Sequence, residues 1–145
     1  MSQWINAKRV AILTCLLSLL PLYSEPYVRI RIEPASHAYK LPKALLCQQS
    51  TFFAAAFNGN FREGEEQFIA LKEKEDVVST RSFELLVQWM YIGRVIFDEL
   101  PPEEAITATI EFVRLADMCK VTSMESRALQ WIWIWILETF LYPYP

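Results

Sequence analysis

The order of patterns along the chain predicts an α+β fold, a small three-stranded sheet packed on a cluster of about five to six helices. Three observations predict it. Residues 27–33, "YVRIRIE", alternate apolar and charged side chains with period two, the pattern of a strand with one buried face. Phe83, Leu86, Val87 and Met90 fall at i, i+3, i+4 and i+7, the pattern of a helix with one buried stripe. Strand-like segments are too few, and alternate too little with helices, for a doubly wound sheet, and no segment is regular enough for a coiled coil.

At the N-terminus, Lys8-Arg9 precede the apolar run "VAILTCLLSLLPL" at 10–22. A basic start, a short apolar run and a small residue such as Ser24 fit a secretory leader. The run is too short to span a bilayer, which takes about 20 apolar residues. Leu13, Leu16, Leu17 and Leu20 nevertheless share one helical face, and a leader needs apolar character but no face. The expectation is an apolar helix within 1–22, suited to a dimer seam or to the domain's own core. A cleaved leader on a small secreted or membrane-associated protein is the alternative.

After the strand at 27–33, "PASH" supplies turn chemistry and "AYKL" (38–41) reads as a short returning strand. Pro42 suits the first turn of a helix, where a missing donor costs nothing, and 43–48 carries Leu45 and Leu46. Ser50 or Thr51 can cap "FFAAAF" by accepting a bond from an exposed backbone donor. "NGNFREGEEQ" (58–67) reads as a surface loop, "FIAL" (68–71) as a third strand and "KEKED" as a charged connection. Ser79 or Thr80 caps the clearest helix, and Gly93 ends it as a residue that accepts left-handed geometry. Pro101-Pro102-Glu103-Glu104 opens another, with its acids at the end the helix dipole favours. Ile106, Ile110, Val113 and Leu115-Ala116 are its expected apolar side, and a further helix should begin near Ser123-Met124.

A chain of 145 residues, 53% hydrophobic with only 3 glycines, is the size of one domain and has the material for a core. A net charge of -3 with no basic run beyond Lys8-Arg9 argues against nucleic acid as a partner. Cys15, Cys47 and Cys119 are odd in number, lack CxxC spacing and sit in apolar runs, which suits buried thiols of an intracellular protein.

Catalytic chemistry is thin. His37 is the only histidine and lies in a turn without a neighbouring acid to orient it. Cys47 sits between Leu46 and Gln48 on a short helix, which favours burial over an activated thiolate. Glu63, Glu65 and Glu66 crowd a loop without histidine or aspartate partners and make no metal site. Three scattered glycines build no phosphate loop. No enzyme, no metal and no cofactor is expected. The tail "WIWIWILETFLYPYP" would set Trp131, Trp133 and Trp135 on one face of a strand, and is read as buried core or as a contact for a partner or membrane surface.

"YKLPKALLCQQSTFFAAAF" (39–57) resembles the BTB/POZ domain, with Lys43, Leu45, Leu46, Ser50, Phe53 and Phe57 at the family's spacing. "NFREGEE" is similar to its aromatic-x-Glu loop, "FELLVQWMYIG" (83–93) to its helix end, and "FVRLADMCKV" (112–121) to its Leu-Ala-Asp helix. Four motifs in order cover roughly 23–130, leaving an apolar helix at 1–22 and an aromatic tail at 131–145. The match looks most like the compact versions common in filamentous fungi. Pro42 stands where the family has histidine, Ile92 where it has threonine, and the connection from Leu71 to Phe83 is a few residues longer. The resemblance implies protein association: a homodimer or a hetero-BTB pair, and docking to a cullin as a ubiquitin-ligase adaptor. It carries partner binding onto Phe61, Glu63 and Tyr91, and a dimer seam onto Leu13, Leu16, Leu17 and Leu20. Cytoplasm or nucleus is the implied location, with secretion the alternative; a membrane partner is not expected. No substrate-reading module is recognisable after residue 130.

Overall fold

The alternation at 27–33 builds the middle strand of the sheet. In the computed structural model, which describes residues 3, 6, 7, 10, 19–97, 100–122 and 124, β1 runs Tyr27–Glu33 and buries Val28, Ile30 and Ile32. Strand β2 (Ala38–Pro42) pairs antiparallel with it and β3 (Phe68–Lys72) pairs parallel, giving the order β2-β1-β3. Register sets Leu41 beside Val28, Ile69 beside Ile30 and Leu71 beside Ile32, so one face is wholly apolar. A parallel pair needs a long crossover. Helices α1 (Lys43–Gln49), α2 (Thr51–Asn58) and α3 (Arg62–Glu66) supply it, and α4 (Thr80–Ile92) and α5 (Pro102–Met118) follow. The α+β architecture is as expected, with five helices among the described residues.

Local chemistry accounts for the ends. Pro42 closes β2 and caps α1, so the helix starts one residue later than proline at its first turn would place it; the Lys43 N–H donates to the Pro26 carbonyl at 2.9 Å. Ser79 and Ser82 form a reciprocal capping box at the start of α4. Gly93 ends α4 at φ 70, its N–H on the Trp89 carbonyl at 2.8 Å.

Two expectations need correction. The segment 58–67 is not all loop, because Arg62–Glu66 forms one helical turn, held by an Arg62–Glu66 ion pair at 2.6 Å with Glu63 and Glu65 in its first turn. Ile106 and Ile110 do not face the core: both are exposed, and α5 buries Ala105, Ala108, Thr109 and Phe112 together with the expected Leu115 and Ala116. The large side chains come from α4, whose Phe83, Leu86 and Trp89 are buried, and small alanines on α5 let the two helices approach. Trp89 meets Phe112 at 6.1 Å between ring centres.

Half-buried Tyr39 ties β2 to α4: its hydroxyl donates to Glu84 at 2.8 Å and its ring lies 5.1 Å from Phe83. Burial, with the Glu84 bond and charge, pushes its phenol up to about 12. Leu20–Tyr23 is a 3-10 turn with Pro21 in its first positions, so Leu20 does not continue an α-helical stripe. Leu13, Leu16, Leu17, Cys15, Ser123 and the tail 131–145 lie outside the described residues. Met124 is buried at the edge of the core. No helix among the described residues is long and apolar enough to cross a membrane.

The tightest joint is Ser50. Its buried hydroxyl accepts from the Phe53 N–H at 3.1 Å, capping α2, and donates to the Cys119 carbonyl at the end of α5 at 2.5 Å. Ser50→Ala strands both groups, and urea unfolding should show a loss of about 2–3 kcal/mol. Exposed Thr51→Ala should stay within about 0.5 kcal/mol.

Candidate functional site

The residues singled out for partner binding form two groups on different elements. In the first, Phe61 is the cap of α3 and the most exposed large apolar side chain described, at 72%. Its carbonyl accepts from the Gly64 N–H at 3.0 Å and the Glu65 N–H at 3.2 Å, which fixes the turn beneath it. Exposed Glu63 follows within that turn. The turn is pressed against the end of α2: a Cβ on Gly64 would strike the Gly59 carbonyl, so this position needs glycine for space. Gln67 closes it in left-handed geometry at φ 50, its side-chain amide donating to the Phe57 carbonyl at 3.0 Å and the Gly64 carbonyl at 2.5 Å. The Gln67 carbonyl accepts from the Arg29 N–H at 3.0 Å, which anchors the turn to β1. Phe61 is thus an apolar side chain held outward on a braced base.

The second group gathers at the end of α4. Tyr91 stacks on Tyr23, ring centres 5.6 Å apart, and the Tyr23 hydroxyl reaches the Tyr91 carbonyl at 3.5 Å. Burial raises the Tyr91 phenol, and neighbouring Tyr27 and Tyr23 raise it further. Leu20, on the same turn as Tyr23, is 58% exposed, and Ile92, next to Tyr91, is 52% exposed. The 3-10 turn packs on α1, so this surface is continuous with the folded domain.

Candidates for catalysis fall apart. His37 is exposed and meets the Tyr39 ring edge-on at 5.0 Å. Cys47 points its thiol toward the Phe53 carbonyl at 3.9 Å, and burial raises it against the lowering effect of Lys43. Cys119 is buried, and burial pushes it up to about 12. Thiols raised in this way stay protonated and are poor nucleophiles. Among the described residues no group of His, Cys, Asp and Glu could hold a metal ion.

What the geometry presents is a braced core with apolar side chains held outward. The family model of the BTB/POZ domain matches residues 27–129. The chain belongs to the BTB/POZ family. Among solved structures this BTB chain is similar to the BTB domain of zebrafish PATZ1, at 14% identity and a TM-score of 0.52 over 74% of this chain and 75% of that one. At that identity the likeness speaks to the fold alone. No curated protein matches the chain. BTB domains are protein–protein interaction modules, and the surfaces above are where such a module has side chains to offer.

Sequence reading reached the BTB motif residues but not their work. Leu45, Leu46, Phe53 and Phe57 are core. Ser50 was legible as a cap, whereas its bond to Cys119 spans 69 residues and has no local signal. The bracing role of Gln67 was equally hidden, since a glutamine before a strand carries no mark of positive φ.

Proposed function

We propose that this BTB chain is an intracellular association module that forms a homodimer or pairs with another BTB chain, and that it docks a cullin scaffold of a ubiquitin ligase. The observation that carries the pairing is the cluster of exposed apolar side chains at the N-terminal turn and the end of α4: Leu20, Tyr23, Tyr91 and Ile92. Apolar side chains gathered on an otherwise polar surface mark a contact site, because water contact costs each of them free energy that a partner would recover. Leu13, Leu16 and Leu17, upstream of the same turn, extend this seam on the sequence pattern. The free thiols Cys47 and Cys119 suit a reducing compartment, which supports the cytoplasm or nucleus. We take 23–130 as the BTB unit, with the tail after it a second contact segment.

The cullin reading rests on Phe61 and Glu63. An aromatic held outward serves as an anchor for a pocket, and a carboxylate beside it supplies a charge at the rim. Arg62 is engaged by Glu66, which leaves Glu63 and Glu65 as the turn's exposed carboxylates outside that pair, with Glu63 the nearer in sequence to Phe61.

Light scattering across micromolar concentrations should give twice the chain mass, and a strict monomer throughout that range would count against pairing. In pull-downs with a cullin N-terminal domain, Phe61→Ala should weaken capture at least tenfold, as for an anchor worth about 1.4 kcal/mol or more. Undiminished capture would remove the loop from the site.

A further inference from the structure

The outer face of the sheet carries a charge pattern that the net charge of -3 conceals. Register sets Lys40, Arg29 and Phe68 in one row across the three strands, and Ala38, Arg31 and Ala70 in the next. The guanidinium carbons of Arg29 and Arg31 lie 5.5 and 5.4 Å from the centre of the Phe68 ring. The Lys40 ammonium lies 4.8 Å from the Tyr27 ring. Stacking on an aromatic face holds a cation in place without neutralising it. A shallow concavity of about 490 Å³ opens over Arg29, Arg31, Ser36, Ala38 and Phe68 and is bounded by Glu66.

These cations are placed at a cost to folding. Arg31 gives one nitrogen to Glu33 at 3.1 Å, while its buried Nε–H has no hydrogen-bond partner among the described residues. Among the same residues no carboxylate stands within ion-pair distance of Arg29 or Lys40, although the two are direct cross-strand neighbours of like charge. A stranded donor and an adjacent like-charge pair both destabilise the free protein. An incoming carboxylate would relieve the repulsion between Arg29 and Lys40, and guanidinium groups already fixed in direction lose little freedom in binding it.

We propose that this face docks an acidic segment of a partner protein, with Asp or Glu carboxylates held by Arg29 and Arg31 and a further one by Lys40. A protein segment fits better than nucleic acid. Glu33, Glu63 and Glu66 border the same surface, so a uniform phosphate backbone would be repelled along part of its path, whereas a peptide can vary its charge residue by residue. The alanines in the second row leave room for a chain to lie close to the strands. This site borders the cullin reading's surface at Glu63 but does not use its anchor, Phe61.

Fluorescence anisotropy of the full chain with a fluorescein-labelled peptide of about ten alternating glutamates and threonines provides the test. Saturable binding is expected, weakening as salt rises, about tenfold weaker in Arg29→Gln and about threefold weaker in Lys40→Gln. Both variants change exposed side chains and leave the core intact, and unchanged circular dichroism melts verify that. Phe61→Ala should leave peptide affinity within about twofold. Absence of saturation, or unchanged affinity in both variants, would overturn the proposal. So would tighter binding of a labelled oligothymidylate than of the peptide, loss of binding in Phe61→Ala, or peptide binding that disappears as the chain self-associates, which would assign the face to a second copy.

Discussion

The Gln49-Ser50 joint carries the structure, because it is where α1 passes into α2 and the end of α5 is held against both. The Ser50 hydroxyl caps α2 and holds the last carbonyl region of α5 through Cys119. Around it, the Thr51 N–H donates to the Lys120 carbonyl at 3.3 Å and the Thr122 N–H to the Gln49 carbonyl at 3.0 Å. Gln49 also donates its side-chain amide to the Met90 carbonyl at the end of α4, at 2.8 Å. One corner thereby fixes the ends of α1, α4 and α5 and the start of α2. The Ser50 bonds are buried, where an unmade bond is costly and a made one is directional.

That corner explains why so small a sheet is stable. Three strands of five to seven residues have one apolar face to bury, and only helices held at fixed positions can cover it. Phe53 and Phe57 from α2 and Phe83 and Leu86 from α4 do so. With one face of the sheet committed to the core, the other is left to solvent with its arginines, and the end of α4 is left with its tyrosines. The surfaces proposed for association therefore lie where the core left side chains outward, and they differ in chemistry: an exposed aromatic at Phe61, an apolar cluster around Tyr91, and stacked cations around Phe68.

Elements with a strict period were legible. The strand at 27–33, the cap at Ser79 and the stop at Gly93 each follow from local chemistry that tertiary packing had no reason to override. Where two apolar stripes competed, the sequence was ambiguous. On α5, Ile106 and Ile110 are greasier than Ala105 and Ala108, yet the bulk of Trp89 on α4 makes the small stripe the one that fits. The turn at Arg62–Glu66 is too short to show a period and depends on one ion pair and on the space at Gly64. Family motifs placed Phe61, Glu63 and Tyr91, but the stacked arginines were legible only as outward positions of β1, since Phe68 reaches them through a pairing between strands far apart in sequence.

We propose above that copies of this BTB chain pair through the surface around Leu20, Tyr23 and Tyr91. Amide hydrogen exchange followed by mass spectrometry, on the same protein at dilute and concentrated conditions, tests it most directly. The account predicts that amides in 19–27 and 91–96 slow as concentration rises, while those in 59–66 keep one rate. Exchange that is independent of concentration, or slowing confined to other segments, would contradict it.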